Sequence, residues 1–382
     1  MTVRLPVAPD VIRWAVDRAG LEPEVLDKSL KVTAWINGDA SPTLKQLESF
    51  ASKVGVPFGY LLLEQRPSIR LPVPDFRVGF NGSMREPSAD LSAVLDLSLR
   101  RQDWYREYAQ DGELDRVTVV GSASGWTPEK TAADMRKRLH FEVTQRTGSW
   151  SDARKHLLRA FESLGGLSVA SSMVANNTHR LLDPFEFRGF TLADPIAPLI
   201  FINTNQTLNG QLFTLAHELA HVWLGVSGIG NEEPHAGATS EVEQWCNQTA
   251  SEFFVPESDL RERYSSVEHL PLHELLDRLA ATYRCGTLVV LLTLQRNQVR
   301  EFDDFARVYD EEQRRLEELV GEPSSGGGDH YNNQPFRVGE RLSRAVIRDA
   351  LEGQTTFSEA LSLLSMRSML NFDEYARRLG VA

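Results

Sequence analysis

The chain has 382 residues, of which 41% are hydrophobic and 25% charged, and its formal net charge is −12. This composition is ordinary for a globular protein of two or three domains, and the acidic balance argues against a protein that coats nucleic acid. The two cysteines, Cys246 and Cys285, lie in apolar helical contexts, so we expect no disulfide framework and a reducing, cytoplasmic compartment. No apolar run is long enough to cross a bilayer, so no membrane partner is expected.

Residues 1–66 are predicted to form an all-α bundle. Apolar residues spaced for one helix face precede Gly20, a common helix terminator. Residues 41–47 open a later helix with an N-cap and a proline in the first turn. The step Trp-x-x-Gly at residues 35–38, followed by Pro-Thr-Leu-x-x-Leu, resembles Cro/repressor-type (XRE-like) helix-turn-helix domains.

That resemblance implies a helix that presents polar and basic side chains to DNA. The corresponding stretch offers Lys28, Lys31 and Thr33 as candidate DNA contacts. However, the eight basic side chains of residues 1–66 are cancelled by eight acidic ones, whereas a DNA-binding module normally carries a basic excess. A role of this unit in docking a protein or in forming a homodimer therefore stays open beside DNA binding.

Residues 67–90 are predicted to be a linker, because prolines and glycines punctuate them and disfavour any long element. Beyond the linker, apolar periodicity predicts first helices and then a small group of strands. The helices are predicted over residues 88–110, 127–139 and 151–164, and the strands over residues 167–169, 186–191 and 199–203.

The motif H-E-x-x-H stands in an apolar run at residues 213–224. On a helix, His217 and His221 lie one turn apart on one face, where a single Zn²⁺ can bind both imidazoles. Glu218 lies beside them and can accept a proton from the attacking water. The alternative, two core histidines beside a buried glutamate, leaves a carboxylate unpaired in an apolar environment, which is costly.

A catalytic zinc normally has a third protein ligand. Residues 241–256 predict a second helix, on which Glu243 and Asn247 share a face because they are four residues apart. Glu243 can bind the metal, and the amide of Asn247 can orient another ligand. Glu241 lies on a different face and ranks second; His235, on a loop rich in Gly at residues 225–237, is the third candidate.

The run F-T-L-A-H-E-L-A-H, followed by E-x-x-C-N-x-x-A-x-x-F-x-x-P, resembles the ImmA/IrrE metallo-endopeptidases. Arg188-Gly-Phe and the strand that begins at Pro198 resemble the family's strands before the active-site helix, so the likeness covers residues 150–300. It implies a zincin fold with Zn²⁺ held by two histidines and one glutamate and with a catalytic general base. It also implies a protein substrate, often a repressor-type regulator. The implied ligands are His217, His221 and Glu243, and the implied base is Glu218.

The predicted fold class is therefore α+β. A helix-turn-helix bundle (residues 1–66) and the linker precede a zincin-like domain (residues 91–320) with a small mixed sheet beside the active-site helix. A C-terminal helical cap (residues 321–382) follows a break rich in Gly and Ser. In zincins an edge strand pairs with an extended substrate, but the sequence does not indicate which strand that is. The candidates for stabilising the oxyanion are His235, Tyr264, Tyr283, His330 and Tyr331.

Two functional hypotheses follow. The leading one is a zinc endopeptidase that cleaves a regulatory protein and is linked to transcriptional control or to a stress or mobile-element response. The other is a DNA-binding transcriptional regulator, or an antitoxin-like protein, that uses the zincin domain as a binding scaffold.

Overall fold

The computed structural model describes residues 4–69, 71–77, 86–230, 240–319 and 330–381. An N-terminal bundle is followed by helices, a small sheet and further helices. The bundle contains α1 (Pro9–Arg18), α2 (Pro23–Asp27), α3 (Val32–Ile36), α4 (Leu44–Val54) and a 3₁₀ helix (Phe58–Leu62). The three helices before the sheet are α5 (Ala89–Asp111), α6 (Pro128–Arg138) and α7 (Trp150–Ser163).

The second half of the chain is mostly helical. The strands are β1 (Leu167–Ser171), β2 (Gly189–Leu192), β3 (Leu199–Asn203) and β4 (Gly228–Gly230), with helix α8 (Leu208–Leu224) between β3 and β4. The helices that follow are α9 (Glu241–Phe254), α10 (Glu257–Val267), α11 (Leu272–Tyr283), α12 (Thr287–Arg296) and α13 (Phe305–Leu319). The last four are α14 (His330–Val338), α15 (Glu340–Leu351), α16 (Phe357–Leu363) and α17 (Met369–Leu379).

The N-terminal bundle has an apolar core of its own. Trp35 from α3 and Phe50 from α4 are buried at its centre, where their rings meet edge to face at 5.8 Å. Thr43 caps α4, since its side chain accepts from Gln46 N–H while Gln46 caps it in return. Pro42 therefore precedes the cap and is not in the first helical turn, which corrects the predicted start of this helix.

The sheet is mixed and has the strand order β1-β3-β2-β4. β1 pairs parallel with β3, and β2 pairs antiparallel with both β3 and β4. β4 lies inside residues 225–237, which the sequence predicted to be a loop. A three-residue Gly-Ile-Gly strand carries no alternation of apolar and polar residues, so only its pairing with β2 defines it.

Helices cover both faces of the sheet. Ile200 and Ile202 belong to a core formed with α8, α9 and the helices around them. Leu199 and Phe201 of the same strand point to the other face, into a core shared with α5, α15 and α17. The C-terminal helices thus pack on the sheet itself, while α8 packs on the other face of the sheet and also contacts α9. None of the helices in the described ranges is long and apolar enough to cross a membrane.

Gly225 ends α8 one turn after the second motif histidine, with φ +78°, a left-handed conformation that favours glycine. A Cβ at this position would lie 2.9 Å from the Cα of Gly121. We expect Gly225→Ala to lower the free energy of unfolding by roughly 1–3 kcal/mol in urea titrations, since it combines backbone strain with this contact.

Gly380 is the matched control for this substitution. It also ends a helix in the left-handed conformation, at φ +66°, but no atom lies within 4 Å of a Cβ built there. Gly380→Ala should therefore show the smaller loss that backbone strain alone produces. Equal losses in the two variants would mean that the contact with Gly121 does not constrain the end of α8.

Candidate metal centre

Helix α8 is buried almost all round. Every residue from Gln211 to Trp223 has little exposed surface, and the Thr207 side chain caps the helix start by accepting from Gly210 N–H. A helix that is apolar on all sides belongs inside a protein core. The polar side chains that α8 carries must therefore find partners within the protein.

The two histidines of α8 converge with Glu243 of α9. Nε2 of His217 lies 3.0 Å from Glu243 Oε2, and Nε2 of His221 lies 3.1 Å from Glu243 Oε1. The two Nε2 atoms are 3.2 Å apart. Among the described residues, these three form the group whose ligand atoms lie close enough together to hold one metal ion.

This cluster fits zinc. In a tetrahedral site with bonds of about 2.0–2.1 Å the ligand atoms are about 3.3 Å apart, close to the spacings seen here. Both oxygens of Glu243 are buried and face the two imidazoles. Two imidazoles and one carboxylate are also a donor set that catalytic zinc uses, with one position left for water or substrate.

Asn247 lies one turn beyond Glu243 on α9 and orients His217. Its Oδ1 is 2.9 Å from Nδ1 of His217. Because an amide oxygen only accepts, Nδ1 must carry a proton, so Nε2 is the ring nitrogen that faces the cluster. Asn247 thus contacts one of the predicted ligands, and its role in orienting a zinc ligand stays a prediction. Glu241 is exposed in the first turn of α9 and outside the cluster, and His235 lies outside the described residues.

The charges of the cluster depend on one another. Burial by itself would lower the pKa of His217, but the hydrogen bond and the charge of Glu243 outweigh it and raise this pKa to about 9. Burial likewise opposes ionisation of Glu243, yet hydrogen bonds to His217 and His221 bring its pKa below the ordinary value. Glu243 is therefore held as a carboxylate, the form that binds a cation.

Glu218 lies next to the cluster and is directed at β2. It is 2% exposed, and burial raises its pKa. The hydroxyl of Thr191 lies 2.7 Å from Glu218 Oε2, where it can donate to the carboxylate. Gly189 leaves the space for this side chain, since a Cβ there would lie 2.7 Å from Glu218 Oε1. Sequence reasoning missed Thr191; the signal was a lone hydroxyl residue in an otherwise apolar strand.

Arg146 fixes the end of α9, the helix that carries Glu243. Its guanidinium is buried and donates to the carbonyls of Phe253, Phe254 and Tyr283 at 2.5–2.8 Å. Burial lowers its pKa to about 10. The last carbonyls of a helix have no partner within the helix, so this clamp satisfies them and fixes α9 against its neighbours. The sequence analysis did not single out Arg146.

Of the predicted candidates for oxyanion stabilisation, only Tyr264 and Tyr283 have described side chains, and neither belongs to the metal cluster. The hydroxyl of Tyr283 donates to Asp259 of α10 at 2.8 Å, and Tyr264 packs against the core around α8. The backbone of His330 and Tyr331 belongs to α14, which packs on β1 at the sheet edge opposite β4.

The predicted DNA contacts lie together on the surface of the N-terminal bundle. Lys28 and Lys31 are exposed, while Thr33 is half-buried and donates its N–H to Asp27 Oδ1 at 3.0 Å. An acidic residue thus lies beside the two lysines, and the local charge is mixed.

A buried H-E-x-x-H helix beside a small mixed sheet, completed by a carboxylate from the following helix, is the arrangement of a metallopeptidase-type site. Residues 170–295 match the family model for the IrrE N-terminal-like domain (Peptidase_M78). The match contains the three cluster residues and Glu218, and it supports a relation to the ImmA/IrrE family and a metallopeptidase-like function. Residues 338–378 match a domain of unknown function (DUF8813). No curated protein and no solved structure matches the chain.

We expect the purified protein to bind about one zinc ion per chain, and His221→Ala and Glu243→Ala to abolish this binding. The measurement is elemental analysis after gel filtration in the presence of added zinc, with circular dichroism to establish folding. Asn247→Ala should keep the site but weaken zinc affinity about 10–100-fold, because it only orients His217.

Glu241→Ala is the matched control, since it removes a carboxylate from the same turn of α9 without touching the cluster. It should bind zinc as the wild type does. If Glu241→Ala loses the metal and Glu243→Ala keeps it, then the third ligand has been assigned to the wrong glutamate.

Proposed function

We propose that this protein is a zinc-dependent endopeptidase that hydrolyses peptide bonds of a regulatory protein. The observation that carries the proposal is the buried convergence of His217, His221 and Glu243 with Glu218 beside them. The match of residues 170–295 to a peptidase domain supports the same class of reaction. A repressor-type regulator is the substrate we propose, since the family resemblance implies one.

The chain's own residues have distinct roles in this mechanism. Zinc, when bound, polarises the scissile carbonyl and makes water more acidic. Glu218 accepts the proton of the attacking water on its carboxylate and passes it to the leaving amine nitrogen. Thr191 holds Oε2 of that carboxylate, and Asn247 holds the ring of His217 in the ligating tautomer.

An extended substrate would pair with the outer edge of β4. This strand passes both ends of the cluster: a Cβ at Gly228 would lie 3.4 Å from Cε1 of His221, and one at Gly230 would lie 3.4 Å from Glu243 Oε2. Backbone pairing places a peptide beside the metal ligands without regard to its sequence. Selectivity for a regulator must then come from side-chain subsites or from docking elsewhere on the protein.

Glu218→Gln tests the proposal. It should retain zinc, because Glu218 is not a ligand, and lose at least about a hundredfold in cleavage rate, because an amide cannot accept the proton. New protein N-termini are compared between cells producing the wild type and cells producing Glu218→Gln, and each cleaved regulator is then assayed with purified enzyme, a chelator and re-added zinc. A folded, zinc-loaded Glu218→Gln variant that cleaves at the wild-type rate would remove the proposed base.

A second candidate function rests on Lys28 and Lys31, which are exposed on a bundle that resembles helix-turn-helix domains. In this reading the protein is a transcriptional regulator, or an antitoxin-like protein, with the peptidase-like domain as a scaffold. We expect Lys28→Ala/Lys31→Ala to weaken binding to its own promoter and to reduce the salt dependence of that binding. The control is Lys45→Ala, which removes an exposed lysine of α4. Absence of promoter binding at low salt would exclude this function.

A further inference from the structure

Part of the linker lies on the outer edge of β4 and extends the sheet. The N–H of Ile229 donates to Pro74 O at 3.1 Å, and the N–H of Phe76 donates to Ile229 O at 2.9 Å. The bridge between Asp75 and Ile229 is parallel. Both backbone groups that Ile229 presents on this edge are therefore used by the protein's own chain.

The side chain of Phe76 lies against His221, one of the three cluster residues. Its ring stacks on that of His221, with the centroids 6.2 Å apart and the planes at 20°. It also rests on the backbone of Gly228, where a Cβ would lie 2.6 Å from Phe76 Cε2. An aromatic ring fits here because position 228 has no side chain.

Charged contacts hold this segment in place. Arg77 is buried and bonds to Asp75 Oδ2 at 2.7 Å and to Glu186 Oε1 at 3.0 Å. The same Glu186 carboxylate accepts from the N–H and the hydroxyl of Ser88, at the start of α5. One carboxylate thus anchors both the end of the segment and the helix that follows the linker.

We propose that the outer edge of β4, Gly228 and His221 form a subsite for an extended polypeptide with an aromatic side chain, which residues 74–77 fill from within the chain. The inference rests on the proposed function, because a substrate that pairs with β4 would need the backbone groups that Pro74 and Phe76 now use. A substrate must therefore displace the linker, whose tethering gives it an effective concentration on the order of millimolar.

This arrangement differs from a purely structural tether in a measurable way. If residues 74–77 only hold the linker, then removing the Phe76 ring leaves nothing that an added peptide recognises. If they fill a subsite, the same change opens a site that takes the aromatic ring of another peptide. Gly228→Ala is the blocking variant, because its methyl group would occupy the position of the ring and exclude the aromatic side chain of the linker and of an added peptide alike.

The test uses zinc-loaded full-length protein carrying Glu218→Gln, so that no turnover occurs, and a fluorescent peptide Leu-Pro-Val-Pro-Asp-Phe-Arg that copies residues 71–77. Fluorescence anisotropy should show at least about tenfold tighter binding after Phe76→Ala than without it. The peptide with alanine in place of phenylalanine should bind at least about tenfold more weakly, and Gly228→Ala should bind neither peptide. Tyr60→Ala, which removes a partly exposed ring of the N-terminal bundle, is the matched control and should leave peptide binding unchanged.

Hydrogen exchange at the Ile229 amide gives an independent readout. It should accelerate after Phe76→Ala and be protected again by the phenylalanine peptide. Arg77→Gln, which keeps the ring but loosens its anchor, should give the same change in smaller degree and provides the test if Phe76→Ala does not fold. Equal binding of the two peptides, or no gain of binding on releasing the linker, overturns the proposal.

The outcomes for the subsite and for the endopeptidase can be told apart. If the peptide binds as expected but no regulator is cleaved by protein with an intact Glu218, the subsite stands and the endopeptidase proposal fails. If regulators are cleaved but the phenylalanine peptide neither binds nor competes, the endopeptidase stands and the subsite fails.

Discussion

The structure depends on how four ionisable side chains are paired inside an apolar core. His217, Glu218, His221 and Glu243 are each less than 9% exposed, and a buried charge without a partner costs several kcal/mol. Each therefore has a defined neighbour. Both imidazoles contact the carboxylate of Glu243, Asn247 Oδ1 accepts a hydrogen bond from Nδ1–H of His217, and the Thr191 hydroxyl donates to Glu218. These contacts join α8 to α9 and to β2, so none of the three elements can shift without leaving a buried polar group unsatisfied.

Segments outside the matched residues 170–295 support the helices that carry these side chains. Arg146 holds the last carbonyls of α9, and the Trp223 indole of the metal helix donates to Asp134 of α6 at 2.9 Å. The C-terminal helices bury the face of the sheet that α8 does not cover. The peptidase-like segment is therefore one part of a larger core, and helices before and after it pack against the elements that carry its ligands.

Periodicity was sufficient to predict what lies within single helices. The pairs His217/His221 and Glu243/Asn247 are one turn apart on α8 and α9, and the helix predicted from residue 88 begins one residue later, with Ser88 as its N-cap. Contacts that depend on how separate helices and strands pack together were not predicted from the sequence. Thr191 reaches Glu218 only through the placement of β2 against α8, and β4 is too short and too rich in glycine to show a pattern. The contact of Phe76 with His221 joins distant parts of the chain and has no sequence signal, and the helix-turn-helix assignment stays a prediction.

An active site that recognises backbone on a sheet edge accepts any extended chain. An uncovered edge therefore carries the hazard of pairing with the wrong chain. Covering it with a segment of the same chain removes the hazard without adding a domain. The segment at residues 74–77 is suited to this, because it is tied at one end to the N-terminal bundle and at the other to the start of α5. That bundle is itself fastened near the same helix, where Arg18 donates to Pro87 O and to the hydroxyl of Ser92. Among the described contacts of residues 74–77, those that break when the edge is released are the two backbone hydrogen bonds to Ile229, the contacts of the Phe76 ring with His221 and Gly228, and the Arg77–Glu186 ion pair.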